Sequence, residues 1–291
     1  QLDIQLGSGN DQISLTGALN DTIDGGAGDD TISAGRGTDI LSGGLGTDLL
    51  IVDFTAIGSP VTTNRTGDDI TLVTSYVQTG GGTITIDGFE RISMVGSNLA
   101  DELVGGALSD TLSGSDGNDT VFGTALDSLN GGANNDLLHI DLSAQSENIS
   151  ISSGGTTNLL DGTAIISFEQ LDIQLGSGND QISLTGALSD TIDGGAGDDT
   201  ISAGGGTDSL SGGLGTDLLI ANFSANAVAV TAARTGDDIG LVTSFVQTGV
   251  GTLTIDGFER AFLTGSNLGD VLVGGALADT LFGGDGNDTL I

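Results

Sequence analysis

The feature that most restricts this chain is a nine-residue rhythm. "GGAGDDTIS", "AGRGTDILS" and "GGLGTDLLI" follow one another without interruption from Gly25 to Ile51. Aspartate stands at the sixth place of each unit (Asp30, Asp39, Asp48) and an aliphatic residue at the eighth (Ile32, Leu41, Leu50). No segment carries a helical period. The units read instead as glycine-rich turns, each followed by a minimal strand that delivers one aliphatic side chain to a core, which is the signature of a solenoid.

The frame extends beyond these three units. Upstream it takes in "LGSGNDQIS" with Asp11 and, after one extra residue, "TGALNDTID" with Asp21. Downstream, "GSNLADELV", "GGALSDTLS", "GSDGNDTVF" and "GGANNDLLH" place Asp101, Asp110, Asp119 and Asp136 in the same way, with a shortened unit at Asp127. A longer period encloses the short one, since residues 1–122 align without a gap to residues 170–291, an offset of 169. Asp180, Asp190, Asp199, Asp208, Asp217, Asp270, Asp279 and Asp288 are the second-copy members of the frame. The copies differ at Arg36 and Gly205, Pro60 and Ala229, Tyr76 and Phe245, and Ile92 and Ala261, yet no sixth-place aspartate is lost.

Residues 52–91 and 221–260 have another texture. Alternating apolar residues there, Ile70 with Leu72 and Ile84 with Ile86, read as strands. Residues 137–169 form a third, shorter version ending in "AIISFEQ", and each stretch returns through Phe-Glu to a nonapeptide array. The organisation expected is therefore a first copy over 1–122, with arrays at 6–51 and 96–122 flanking longer coils at 52–95, then continuing turns and connecting coils over 123–169, then a second copy over 170–291. All three read as parts of one continuous solenoid.

Composition now decides what such turns must hold. Forty acidic residues face five arginines and no lysine, a formal charge of -35 that opposes compaction unless cations are taken up. Nucleic acid and anionic membrane surfaces, which attract lysine and arginine, are excluded as partners, and no apolar run is long enough for membrane insertion. Cysteine is absent, so neither disulfides nor thiolate metal sites are available.

A turn that wraps a cation must aim several carbonyl oxygens inward, which needs backbone angles that glycine permits. Aspartate supplies the shortest carboxylate. Oxygen-only ligation with no histidine or cysteine nearby selects a hard ion, and calcium suits such a ring better than magnesium. The candidate metal-ligating residues are Asp11, Asp30, Asp39, Asp48, Asp119, Asp136, Asp180, Asp199, Asp208, Asp217 and Asp288. Their turn glycines are Gly7, Gly9, Gly26, Gly28, Gly44, Gly46, Gly176, Gly178, Gly195, Gly197, Gly213 and Gly215. Asp21, Asp101, Asp190 and Asp270 are candidates of the same type in altered turns, considered below.

Tandem units in this frame resemble the RTX, or haemolysin-type, calcium-binding nonapeptide repeat, G-G-x-G-x-D-x-U-x. The resemblance covers the arrays, about half of the chain. It implies an all-β, right-handed parallel β-roll or β-helix solenoid in which two nonapeptides make one coil, with longer coils intervening. It further implies calcium ions between turns stacked on one side, so that Asp11, Asp30 and Asp48 form one column and Asp21 and Asp39 the opposite one, as Asp180, Asp199 and Asp217 do against Asp190 and Asp208. The pattern departs at the fourth place, where Leu19, Leu99, Leu108, Leu188, Leu268 and Leu277 replace glycine. Leucine resists left-handed geometry and is expected to pack inward, leaving the turns of Asp21, Asp101, Asp110, Asp190, Asp270 and Asp279 metal-free.

No Ser-His-Asp set, His-Glu-x-x-His stretch or phosphate loop appears, and His139 reads as an exposed residue at a strand end. Arg65 and Arg234, the bases a lyase-like β-helix would need, are read as partners of carboxylates such as Asp68 or Glu90. The resemblance thus implies a non-enzymatic, extracellular bacterial region, exported by type I secretion, that folds on calcium and serves as a structural or adhesive solenoid. Its partners would be calcium ions and cell-surface or matrix components. Alternatives are the carrier or secretion segment of an exported enzyme or toxin, and a glycan-binding or lyase-like module. Because the frame reaches both ends of the sequence, a longer repetitive protein, or copies stacked end to end, is expected.

Overall fold

The computed structural model describes residues 1–33, 35–65, 73–78, 82–159, 161–234, 242–247 and 250–291. Among these residues every regular element is a β-strand, and no helix is long and apolar enough to cross a membrane. The Arg65–Asp68 pairing and the strand at Ile70 and Leu72 expected from the sequence, together with the Arg234 side chain, lie outside the described residues.

Each nonapeptide makes one short strand, and successive strands alternate between two sheets. Asp3–Gln5, Thr22–Asp24, Asp39–Ser42 and Gly82–Asp87 line up in one; Gln12–Ser14, Thr31–Ser33, Leu49–Asp53, Arg91–Val95, Thr111–Asp116, Ser128–Ala133 and Ala164–Ile166 line up in the other. Neighbours within these runs are parallel, and the register places eighth-place aliphatics opposite one another: Ile13 on Ile32 on Leu50, and Ile23 on Leu41. The architecture is therefore an all-β parallel roll. Because each strand contributes so few residues, its single inward side chain must be sealed by the rungs above and below; Ile32 and Leu50 are both 0% exposed.

The chain separates into two compact units, Gln1–Ile140 with Leu160–Phe168, and Asp141–Leu159 with Glu169–Ile291. The second repeats the scheme by itself. Ile151, Ile182, Ile201, Leu219 and Ala261 are matched across one of its sheets, and Ile173, Ile192, Leu210 and Ile255 across the other.

Parallel pairing does not hold throughout. Val61–Arg65, Val73–Gln78 and Gly82–Asp87 form an antiparallel meander, as do Val230–Arg234, Val242–Gln247 and Gly251–Asp256. Strands of five or six residues separated by short connections reverse direction more readily than they complete a crossover. The meander carries its own core, where Tyr76 packs with its ring 6.5 Å from that of Phe54. His139 also departs from expectation: it lies within the strand Leu137–Asp141, half-buried, its ring stacked at 4.5 Å on Phe122.

Candidate metal centre

Turns of successive coils stack directly on one another. The third residues of neighbouring turns pair as isolated parallel bridges, Ser8 with Ala27, Ala27 with Leu45, and Ala196 with Leu214. Such approach demands glycine: Gly26, Gly28, Gly44, Gly46, Gly195, Gly197, Gly213 and Gly215 all have positive φ, from 87° at Gly195 to 147° at Gly215. A methyl group on Gly44 would sit 2.2 Å from the Gly26 carbonyl oxygen. Gly7, Gly9, Gly176 and Gly178 stay outside the left-handed region, although a methyl on Gly178 would still overlap the Glu147 carbonyl at 2.2 Å. Around Asp119 and Asp136, Ser115 and Asn134 take left-handed φ of 83° and 92°, filling glycine roles that the motif does not mark.

The sixth-place aspartates form continuous columns. The Asp11 N–H donates to Asp30 Oδ1 at 2.8 Å, and the Asp30 N–H to Asp48 Oδ1 at 2.7 Å. On the opposite side the Asp21 N–H donates to Asp39 Oδ1 at 2.9 Å. In the second unit Asp180, Asp199 and Asp217 make one column, and Asp190 with Asp208 the other. Asp101, Asp119 and Asp136 continue the pattern in the first unit, and the Asp270 N–H reaches Asp288 Oδ1 at 3.0 Å. Sequence reasoning missed two members: the Asp48 and Asp217 N–H groups donate to Glu90 and Glu259 Oε2, each at 2.9 Å. The Phe-Glu that precedes each return to an array was the available signal. It also missed a second ladder of opposite polarity at the fifth place, where Asn10 accepts from the Asp29 N–H and Asp29 from the Thr47 N–H, both at 2.9 Å.

One carboxylate oxygen is thus spent on the fold, and the fate of the other distinguishes two kinds of turn. In Asp30, Asp39, Asp48, Asp119, Asp180, Asp199 and Asp217 the Oδ2 atom is buried and accepts no hydrogen bond. In three of the leucine-bearing turns it is capped by the N–H of the second residue: Ser97 on Asp101 at 2.5 Å, Gly106 on Asp110 at 2.6 Å, Ser266 on Asp270 at 2.6 Å. None of the six fourth-place leucines has positive φ. Nor do they pack inward as expected. Leu19 is 61% exposed, and Leu99, Leu108, Leu268 and Leu277 are also exposed, because the turn tip lies outside the two sheets and one aliphatic residue per strand already fills the space between them. Asp11 and Asp288 are half-buried, whereas Asp21, Asp136, Asp190 and Asp208 are buried.

A buried carboxylate oxygen without a donor is costly in either protonation state unless a cation reaches it. Burial pushes the Asp119 carboxyl up to about 7, against the pull of the Asp101 N–H and with the charges of Asp101 and Asp136 adding to the rise. Burial likewise raises Asp199 to about 6, and raises Asp39, Asp48, Asp180 and Asp217. Among the capped carboxylates, Asp110 rises to about 7 for the same first reason. Carbonyl oxygens lie close to these carboxylates: a methyl on Gly25 would meet the Gly43 oxygen at 2.4 Å and Asp30 Oδ2 at 2.5 Å, so oxygens from two successive coils converge over that glycine. Gly194 has the same surroundings, with the Gly212 oxygen at 2.5 Å and Asp199 Oδ2 at 2.6 Å. Among the described residues no three acidic, histidine or cysteine side chains gather around one point. The donor set is therefore one carboxylate per turn plus backbone carbonyls, a hard all-oxygen environment that fits calcium.

The RTX calcium-binding nonapeptide repeat matches this sequence in four stretches, residues 15–50, 95–125, 184–219 and 264–291. No curated protein matches it. Among solved structures, the chain is similar to the crystal structure of the extracellular lipase LipA from Serratia marcescens at 16% identity and a TM-score of 0.21. The similarity covers 88% of this chain and 36% of that one, so the chain spans about a third of the lipase's length.

Proposed function

Starting from a chain that carries RTX calcium-binding nonapeptide repeats, we propose that the glycine-turn columns are where calcium is held and that holding it is what folds the region. The observation that carries this reading is the row of buried, donor-free Oδ2 atoms on Asp30, Asp39, Asp48, Asp119, Asp180, Asp199 and Asp217. Bound calcium would supply a positive charge to these oxygens, including those of Asp39, Asp48, Asp119, Asp180, Asp199 and Asp217, which burial otherwise pushes toward protonation. The chain's own residues do the rest: Oδ1 ties each coil to its neighbour, left-handed glycines bring carbonyls inward, and the eighth-place aliphatics close the core.

RTX repeats occur in secreted bacterial proteins, and the repeat is typically non-catalytic. On this reading the region works outside the cell as a structural or adhesive solenoid, assembled only where calcium is plentiful. Extracellular calcium modules bind at roughly 0.1–1 mM per site. Many such sites titrating together should give a steep transition. Circular dichroism across a calcium titration from chelator tests it: a cooperative gain of β signal is expected, and a fully β spectrum indifferent to chelation would sink the proposal.

A further inference from the structure

The matches to the repeat stop at Leu50 and Leu219 and resume at Val95 and Thr264. Asp48 and Asp217 therefore stand in the last nonapeptide of an array, and the coil stacked on each is of another kind. The strand Gly82–Asp87 passes to Arg91–Val95 through Gly88, Phe89 and Glu90 alone, and Gly251–Asp256 passes to Arg260–Thr264 through Gly257, Phe258 and Glu259. Yet Oδ2 of Asp48 and of Asp217 is buried and donor-free here as it is inside the arrays, and both residues are 0% exposed. A methyl on Gly43 would meet the Gly88 carbonyl oxygen at 2.0 Å and Asp48 Oδ2 at 2.7 Å, so the short turn repeats the convergence found over Gly25. A methyl on Gly212 would meet the Gly257 oxygen at 2.3 Å and the Asp217 carboxyl carbon at 2.9 Å. Each glutamate also comes close: its Oε2 accepts the N–H of Asp48 or Asp217, and its charge adds to the rise that burial gives that aspartate.

We propose that Glu90 and Glu259 are calcium ligands, each closing one further site at the seam between a nonapeptide array and its antiparallel meander. In the first copy the donors are Asp48 Oδ2, the Gly88 carbonyl and the second carboxylate oxygen of Glu90; in the second they are Asp217 Oδ2, the Gly257 carbonyl and the second oxygen of Glu259. The assignment rests on the calcium reading proposed above and extends it to residues that lie outside the nonapeptides. A turn of three residues in place of six sets its carboxylate farther back, and the extra methylene of glutamate spans the difference. Two carboxylates and a backbone carbonyl make a hard all-oxygen set of the kind calcium takes, with water free to complete it from the open side. An uncompensated pair of neighbouring carboxylates, one of them buried, is otherwise unfavourable at neutral pH. Since Gly88 directly follows the strand Gly82–Asp87, an ion held here ties the meander to the array.

Equilibrium dialysis against calcium alone tests this, counting ions per chain at the lowest free concentration that saturates the parent. Glu90→Gln keeps an oxygen for the Asp48 N–H and removes the charge, so the count should fall by one. Glu259→Gln should do the same, and the double variant should bind two ions fewer. A glutamate that serves only as a ladder acceptor would leave the count untouched, because the amide preserves that bond. Circular dichroism in calcium establishes that each variant is folded; if Glu90→Gln is not, Glu259→Gln decides, since the two sites stand in separate units. A parent chain that binds no calcium would overturn both readings. An unchanged count in a folded variant of a chain that does bind calcium would overturn this one alone.

Discussion

The glycine turns and the leucine turns use the same aspartate for two different ends. In both, Oδ1 accepts a backbone N–H from the preceding coil, as Asp48 does from Asp30 and Asp110 from Ile92. They part at Oδ2. Where the second and fourth residues are left-handed, as Gly26 and Gly28 are, Oδ2 of Asp30 is buried without a donor. In the leucine turns of Asp101, Asp110 and Asp270 the second residue turns its N–H onto that oxygen, as Gly106 does on Asp110. On the proposed reading, the leucine turns of Asp101, Asp110 and Asp270 are complete as protein, whereas a glycine turn such as that of Asp30 is complete only with a cation.

Asp30→Asn against Asp101→Asn attacks this contrast most directly and carries the largest expected effect. Asparagine keeps an oxygen for the ladder bond. At Asp30 the charge lost is the one a cation would meet, so the calcium midpoint should rise by about tenfold, as for other losses at metal sites. In chelator the same variant should be no less stable than the parent, since a buried carboxylate has been removed. At Asp101 the amide would point a donor at the Ser97 N–H, which lowers stability in calcium and chelator alike while leaving the midpoint within about twofold. Titrations followed by circular dichroism separate the two, and equal midpoint shifts would erase the distinction between turns.

Acid should imitate calcium, with a smaller effect. Burial raises Asp119 to about 7 and Asp199 to about 6 from an ordinary 3.8, so in the folded, metal-free chain these groups favour the protonated form. A raised carboxyl contributes stability that is fully present below its unfolded value and is lost as pH climbs through its folded value. In chelator, stability should therefore fall between about pH 4 and pH 7. Calcium, which favours the ionised form, should remove the share of this fall that belongs to the glycine turns. The share from Asp110, raised to about 7 but capped by Gly106, should persist. Denaturant midpoints across that range, with and without calcium, measure both shares; a chelated chain that grows more stable with rising pH would contradict the assignment.

Much of this was legible in the sequence, and the exceptions have physical causes. The aspartate at the sixth place and the aliphatic at the eighth mark a turn followed by a short strand with one inward side chain, while parallel stacking, a rung such as Ile32 on Leu50, and the column of Asp11, Asp30 and Asp48 are what the resemblance to the RTX repeat implied. Pairing direction in the longer stretches did not follow, since the alternation at Ile84 and Ile86 is the same for parallel and antiparallel neighbours. Glu90 and Glu259 escaped notice because they stand in for aspartate with a longer side chain outside the nine-residue frame. Ser115 was hidden because serine does not announce a left-handed φ, whereas Asn134, at the fourth place, is of a type that tolerates it and could have been read. The leucines were misread because sequence suggests that an aliphatic side chain seeks a core, while at Leu19 no core is within reach of the turn tip.

The smallest expected effect tests whether one residue decides the turn type. Leu108→Gly converts "GGALSD" into "GGAGSD", which is the full glycine frame around Asp110. Leu108 is 45% exposed and its N–H donates to the Glu90 carbonyl oxygen at 2.8 Å, a bond that glycine can keep, so the fold loses only backbone restriction, about 1 kcal/mol. If the fourth place is what holds the Gly106 N–H on Asp110, glycine should free that oxygen and create a turn with a donor-free carboxylate. Equilibrium dialysis at saturating calcium should then count one more ion per chain, and stability in chelator should drop while stability in calcium barely changes. An unchanged count in a folded variant would move the decision from Leu108 to its neighbours in the stack, where the five-residue turn at Asp127, with Leu126 left-handed at 75°, offers Asp110 no glycine turn to share an ion with.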